Sequence, residues 1–117
     1  MYRYIQSPHT QYILRLLKEL NLALQGFLSN APTTIHDELA QIDIQNFTIF
    51  LIINKQGLLV GLRLEPPFYI SGLNEVILKT TQKTTPYPSV SSRSKQDLLE
   101  LKIPLVLYNQ HKIQPPA

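Results

Sequence analysis

From Phe47 to Leu64 the chain shows two apolar runs separated by one short polar break. Phe47, Ile49, Phe50, Leu51, Ile52 and Ile53 lead into Asn54-Lys55-Gln56-Gly57; Leu58 to Leu64 follow, and the pattern stops at Pro66-Pro67. Aromatic and β-branched residues on both sides of a polar tetrapeptide ending in glycine predict a β-hairpin, with strands over 47–53 and 58–64. The first run offers apolar residues to both faces, so that strand is expected to be buried on both sides.

Upstream the period changes. Ile13, Leu16, Leu17, Leu20, Leu24 and Phe27 recur at helical spacing, with Arg15, Lys18, Glu19 and Gln25 on the other side. This predicts a helix over 8–25, capped by Ser7, opened by Pro8 and ended at Gly26. Residues 29–34 read as a loop, and Thr34 as the cap of a short helical turn over 35–42. Beyond the hairpin, Ser71 is the expected cap of a second helix that shares Leu73, Val76, Ile77 and Thr80 on one face. Residues 80–94, rich in hydroxyls and holding Pro86 and Pro88, read as an irregular loop. Ser94-Lys95-Gln96-Asp97 has the form of a capping box for a short helix through Leu99. Leu101 to Tyr108 suits a third strand, at an edge or bulged where Pro104 lacks a donor. Residues 109–117 read as a frayed tail. The sum is a single α+β domain over 1–117: an antiparallel hairpin plus a further edge strand, covered by helices.

Composition narrows the chemistry. The 117 residues are 44% hydrophobic and only 16% charged, which points to a surface with apolar ground for a partner or a second copy. With no cysteine there is no disulfide, thiolate zinc site or thiol nucleophile. No run is long enough to span a bilayer, and the polar interruptions and Glu19 near the start make a poor leader, so a soluble cytoplasmic protein is expected. The net charge of +3 falls wholly in residues 61–117, and the segment 79–95 holds Lys79, Lys83, Arg93 and Lys95 with no acid.

Candidate chemistry is thin. His9, His36 and His111 are far apart in sequence, and no metal or cofactor is expected. His36-Asp37-Glu38 could be an acid/base cluster, but carboxylates in the first turn of a short helix are also favoured by its dipole. GxSxG, GxxxxGK[ST] and GxGxxG are all missing from the sequence. Two contact surfaces can be drawn instead. Tyr2, Tyr4 and Tyr12, with Arg3 and Arg15, could form one, and Phe68 and Tyr69 of Pro66-Pro67-Phe68-Tyr69-Ile70 could form another; Tyr4, Phe68 and Tyr69 are the candidate partner-binding residues. The alternative is nucleic-acid binding, with Lys79, Lys83, Arg93 and Lys95 on phosphates and Tyr87 stacked on a base.

Over roughly residues 10–108 the chain resembles a shortened, divergent AMMECR1-like domain. The family's opening helix matches Tyr12-Ile13-Leu14-Arg15-Leu16-Leu17 through Leu22-Ala23-Leu24, and its hairpin matches Phe50 to Gly61, with Gly57, Leu59 and Gly61 retained. A Leu-x-Pro step at Leu64-Glu65-Pro66 and a helix over 73–83 follow. Then come Pro86-Tyr87-Pro88, Asp97-Leu98-Leu99 and a strand over 101–107. The family's Arg and Cys fall on Val60 and Leu62 and its last Gly on Leu64, so a site built on that Arg and Cys is not carried over. The resemblance implies a fold and leaves a diverged enzyme as a third reading. The leading expectation is a small non-enzymatic interaction module (an adaptor, assembly factor or subunit) acting on a protein partner or as a homo-oligomer.

Overall fold

The computed structural model describes residues 8–87, 98–108 and 111–116. Its elements are α1 (Pro8–Ser29), α2 (Thr33–Ala40), β1 (Ile44–Asn54), β2 (Leu59–Glu65), α3 (Leu73–Lys83), β3 (Leu98–Tyr108) and β4 (Lys112–Gln114). The four strands form one antiparallel sheet in the order β2-β1-β3-β4.

The hairpin forms where the pattern places it. Asn54 closes the turn, its Oδ1 accepting from the backbone N–H groups of Gln56 and Leu58 at 3.0 Å each. Gly57 has a φ of 81°, the left-handed region that favours glycine. Ile52 pairs with Gly61 and Ile53 with Leu59, which leaves Val60 as the extra residue of a bulge.

Strand β1 is not buried on both sides. Phe47, Ile49, Leu51 and Ile53 are buried, while Thr48, Phe50 and Ile52 between them are half-exposed. The buried set joins Leu64, Ile103, Leu105, Leu107 and Ile113 of the other strands with Tyr12, Leu16, Leu20 and Leu24 of α1, Ile35 and Leu39 of α2, and Leu73 and Ile77 of α3, in one core. All three helices therefore lie on a single face of the sheet. A central strand is apolar on both faces here although the described helices cover only one of them.

Other boundaries move for identifiable reasons. Helix α1 runs past Gly26 to Ser29, because Phe27 and Leu28 pack against the core; burial outweighs the roughly 1 kcal/mol propensity cost of an interior glycine. The start of α3 is Gly72, with φ 83° and no side-chain cap, not Ser71; the buried position in its third turn is Thr81, not Thr80. Helix α2 starts after Pro32 without a side-chain cap from Thr34. Leu98 and Leu99 begin β3 rather than end a helix, because they pair with Asn54 and Ile53 of β1. The expected cap residues Ser7 and Ser94 lie outside the described residues. The 109–117 tail contains β4, whose Ile113 is buried and clamped by Asn21 of α1: Asn21 Nδ2 donates to the Ile113 carbonyl at 2.9 Å, and the Ile113 N–H donates to Asn21 Oδ1 at 2.8 Å. Because β4 pairs only with Val106 to Tyr108, Pro104 sits where β3 has one strand neighbour among the described residues, as its missing donor requires.

Candidate interaction surface

The sequence-predicted residues divide sharply. Phe68 and Tyr69 are neighbours with opposite fates: Phe68 is 3% exposed and Tyr69 is 97% exposed. The cause is Asn74. Its Oδ1 accepts the Phe68 N–H and its Nδ2 donates to the Phe68 carbonyl, both at 2.8 Å. This clamp fixes the backbone so that the Phe68 ring packs edge-on to Phe47, 5.1 Å between centroids. Phe68 is thus a core residue, not a partner contact. Tyr69 stands on the surface beside a shallow groove of about 380 Å³ lined by Glu38, Gln41, Ile42, Gln45 and Ile70. Tyr4 lies outside the described residues.

The basic segment is also reassigned in part. Lys79 and Lys83 are exposed on α3, whereas Tyr87 is 8% exposed. Its ring stacks edge-on to Tyr12 at 4.8 Å and its hydroxyl hydrogen-bonds with His9 Nδ1. Its N–H donates to the Gly57 carbonyl at 2.9 Å. Tyr87 is engaged in joining α1 to the hairpin tip and has no free face for a base. Arg93 and Lys95 lie outside the described residues.

Between α1 and α3 a groove of about 560 Å³ is lined by Arg15, Glu19, Leu22, Ala23, Thr80, Lys83, Thr84 and Thr85. Its polar groups largely serve the fold. Arg15 donates to the Thr84 carbonyl at 3.0 Å, Thr84 Oγ1 donates to Thr80 O and Thr85 Oγ1 to Gln82 O, each at 2.7 Å. The Thr84 and Thr85 hydroxyl protons are thus engaged within the fold, and Glu19 stands in the lining beside Arg15 and Lys83.

The histidines stay apart: His9 meets Tyr87, His36 is exposed on α2, and His111, at φ 60°, turns the chain between β3 and β4. Among the described residues no three metal-ligating side chains come together, and no helix is long and apolar enough to cross a membrane.

The feature that sequence reasoning missed is the sheet face that no described helix covers. Even-numbered residues of β1 and β3 point away from the helices. Read across β2-β1-β3, its rows are Gly61–Ile52–Glu100, Arg63–Phe50–Lys102 and Glu65–Thr48–Pro104. The Arg63 guanidinium lies 4.2 Å from the Phe50 ring centroid, and Lys102 Nζ lies 5.9 Å from it on the other flank. Arg63 also pairs with Glu65 at 3.0 Å. Val60, Leu98 and Ile44, all more than half exposed, rim the face. Only Val106, beside β4, is fully buried on this side. The signal available in sequence was the even-numbered charge pattern of β3, Glu100 and Lys102, beside a β1 run that otherwise suggested double burial. Comparison with family models, curated proteins and solved structures yields no match to this chain.

Proposed function

We propose that the chain is a small non-enzymatic interaction module that engages a protein partner through the open face of its sheet. The observation that carries this reading is the apolar set Phe50, Ile52 and Leu98 on a face that no described helix covers, with Ile44 at the far end of β1 and Val60 in the bulge at the β2 edge. An apolar patch rimmed by charge is the usual anatomy of a protein contact site. Tyr69, exposed beside its groove, offers a second anchor on a different side of the molecule.

Site-specific photo-crosslinking tests the reading. A photoreactive residue is placed at Ile52 or Val60, and a control at Leu14 on the helical side, in the full chain expressed in its native source. Discrete protein adducts are expected from Ile52 and Val60 and not from Leu14. Adducts at Tyr69 alone would move the contact site, and absence of adducts at every position would overturn the reading.

A further inference from the structure

We infer that the occupant of the open sheet face is a second copy of the same chain, packed sheet on sheet about a two-fold axis that crosses β1 between Phe50 and Ile52. The inference rests on the preceding reading and names its partner.

Charge argues for self-recognition. The face carries Arg63 and Lys102 together with Glu65 and Glu100. A polyanion would meet the two carboxylates and a basic partner the two cations, whereas a face bearing both signs can be complementary to itself. A two-fold contact uses the same patch twice, so each pair formed is formed again.

The strand register selects the axis. If it lies across the strands, midway between the rows, the Phe50 row of one copy faces the Ile52 row of the other. Phe50 then packs on Ile52, Lys102 meets Glu100, and Arg63 lies opposite Gly61, where no side chain competes for space. An axis through the Phe50 row would instead put Arg63 on Arg63 and Lys102 on Lys102. An axis parallel to β1 would put Arg63 on Lys102. One step the other way pairs Arg63 with Glu65, but sets Phe50 on Thr48 and leaves Lys102 against Pro104. The inferred register alone satisfies both the apolar centre and the charges of β3. Strand directions within about 30° are the usual geometry of stacked sheets.

Size sets the strength. Strands β1 and β3 pair over eleven residues. About this axis β1 overlaps its copy only over residues 48–54, so at about 3.3 Å per residue and about 4.8 Å per strand three strands give about 330 Å² of flat area per copy. Two copies bury about 670 Å², below the size of a standard stable interface, so a weak and transient dimer is expected, micromolar or poorer.

The test is sedimentation velocity and light scattering on the full chain up to about 200 μM, a range that brackets a micromolar dissociation constant. The wild type is expected to shift from monomer to dimer. Lys102→Glu and Glu100→Lys should each weaken dimerisation at least about tenfold, since each places like charges together twice. Mixing the two variants should restore a one-to-one heterodimer, because every 100/102 contact is then of opposite sign; circular dichroism checks that both are folded. A wild type that stays monomeric, or a dimer indifferent to both reversals, overturns the inference. If the chain stays monomeric while Ile52 still cross-links to a different protein, the interaction reading stands and only the second copy falls.

Discussion

Three asparagines substitute for backbone in this fold. Asn54 ties the hairpin turn, Asn74 clamps both polar groups of Phe68, and Asn21 does the same for Ile113. Asn54 acts in the exposed turn, whereas Asn74 and Asn21 satisfy part-buried peptide groups, where an unmade hydrogen bond costs about 1–3 kcal/mol. Two glycines show the opposite relation between a residue and its place. At Gly57 the backbone is left-handed, and a Cβ would run into the Tyr87 carbonyl. At Gly26 a Cβ would meet nothing within 4 Å. Gly57→Ala is therefore expected to destabilise by about 2–3 kcal/mol, from left-handed strain plus the lost Tyr87 contact. Gly26→Ala should stabilise by about 0.5–1 kcal/mol by removing a helix-interior glycine. Urea titration of both variants checks the pair, and equal effects at the two sites would contradict the account.

At the scale of elements, β4 is the test of how a short strand survives. Three residues cannot hold a sheet edge by pairing alone, and Ile113 is kept by its burial and by Asn21. Asn21→Ala should cost about 1–3 kcal/mol, because both backbone groups of Ile113 lose their partner. Hydrogen exchange should show the Ile113 amide speeding up while Ile49 and Leu51 of β1 stay slow; unchanged protection at Ile113 would sink the clamp. Much of the layout was legible in the sequence: the stripe of α1, the hairpin around Asn54 to Gly57, α3, and the third strand all stand close to where the pattern puts them. What was not legible depends on contacts across the chain. Lys112 to Gln114 pair locally with Val106 to Tyr108, but three residues give little pattern, and the side chain that holds Ile113 is Asn21, 92 residues away. Nothing local separates Phe68 from Tyr69, because Asn74 decides which ring turns inward. The double-sided apolar character of β1 was read correctly as a pattern and wrongly as burial, since apolarity cannot distinguish a covered face from an open one. For the same reason the open face stayed hidden, while Tyr87, read as a surface ring, proved to be a core residue.

Across the whole molecule, Tyr87 adds a side-chain knot to the sheet pairing that joins the basic half of the chain to the neutral half. Tyr87 reaches from the segment after α3 to His9 and Tyr12 on α1 and to Gly57 at the hairpin tip, and Arg15 lies 5.5 Å from the Tyr12 ring centroid. The Tyr12 hydroxyl is buried with no hydrogen-bond partner among the described residues. Burial pushes its pKa up to about 12, with Arg15 pulling it down and Tyr87 adding to the rise. Burial raises Tyr87 as well. A folded-state pKa above the unfolded value of about 10 means that the folded form holds the proton more tightly. The contribution of these hydroxyls is therefore fully present below pH 10 and falls as pH climbs from about 10 towards about 12, by at most about 1.4 kcal/mol per pH unit for Tyr12. Tyr12→Phe removes the ionising group and keeps the ring. At pH 7 it should leave stability unchanged or raise it by up to about 1 kcal/mol, because the hydroxyl it deletes is buried and unpaired. Between pH 10 and 12 it should flatten the decline, leaving the part that Tyr87 contributes. Urea midpoints measured at pH 7, 10 and 11 decide the matter: a loss above about 1 kcal/mol at pH 7 would reveal a hydrogen bond to that hydroxyl, and an alkaline slope equal to that of the wild type would show that Tyr12 does not set it.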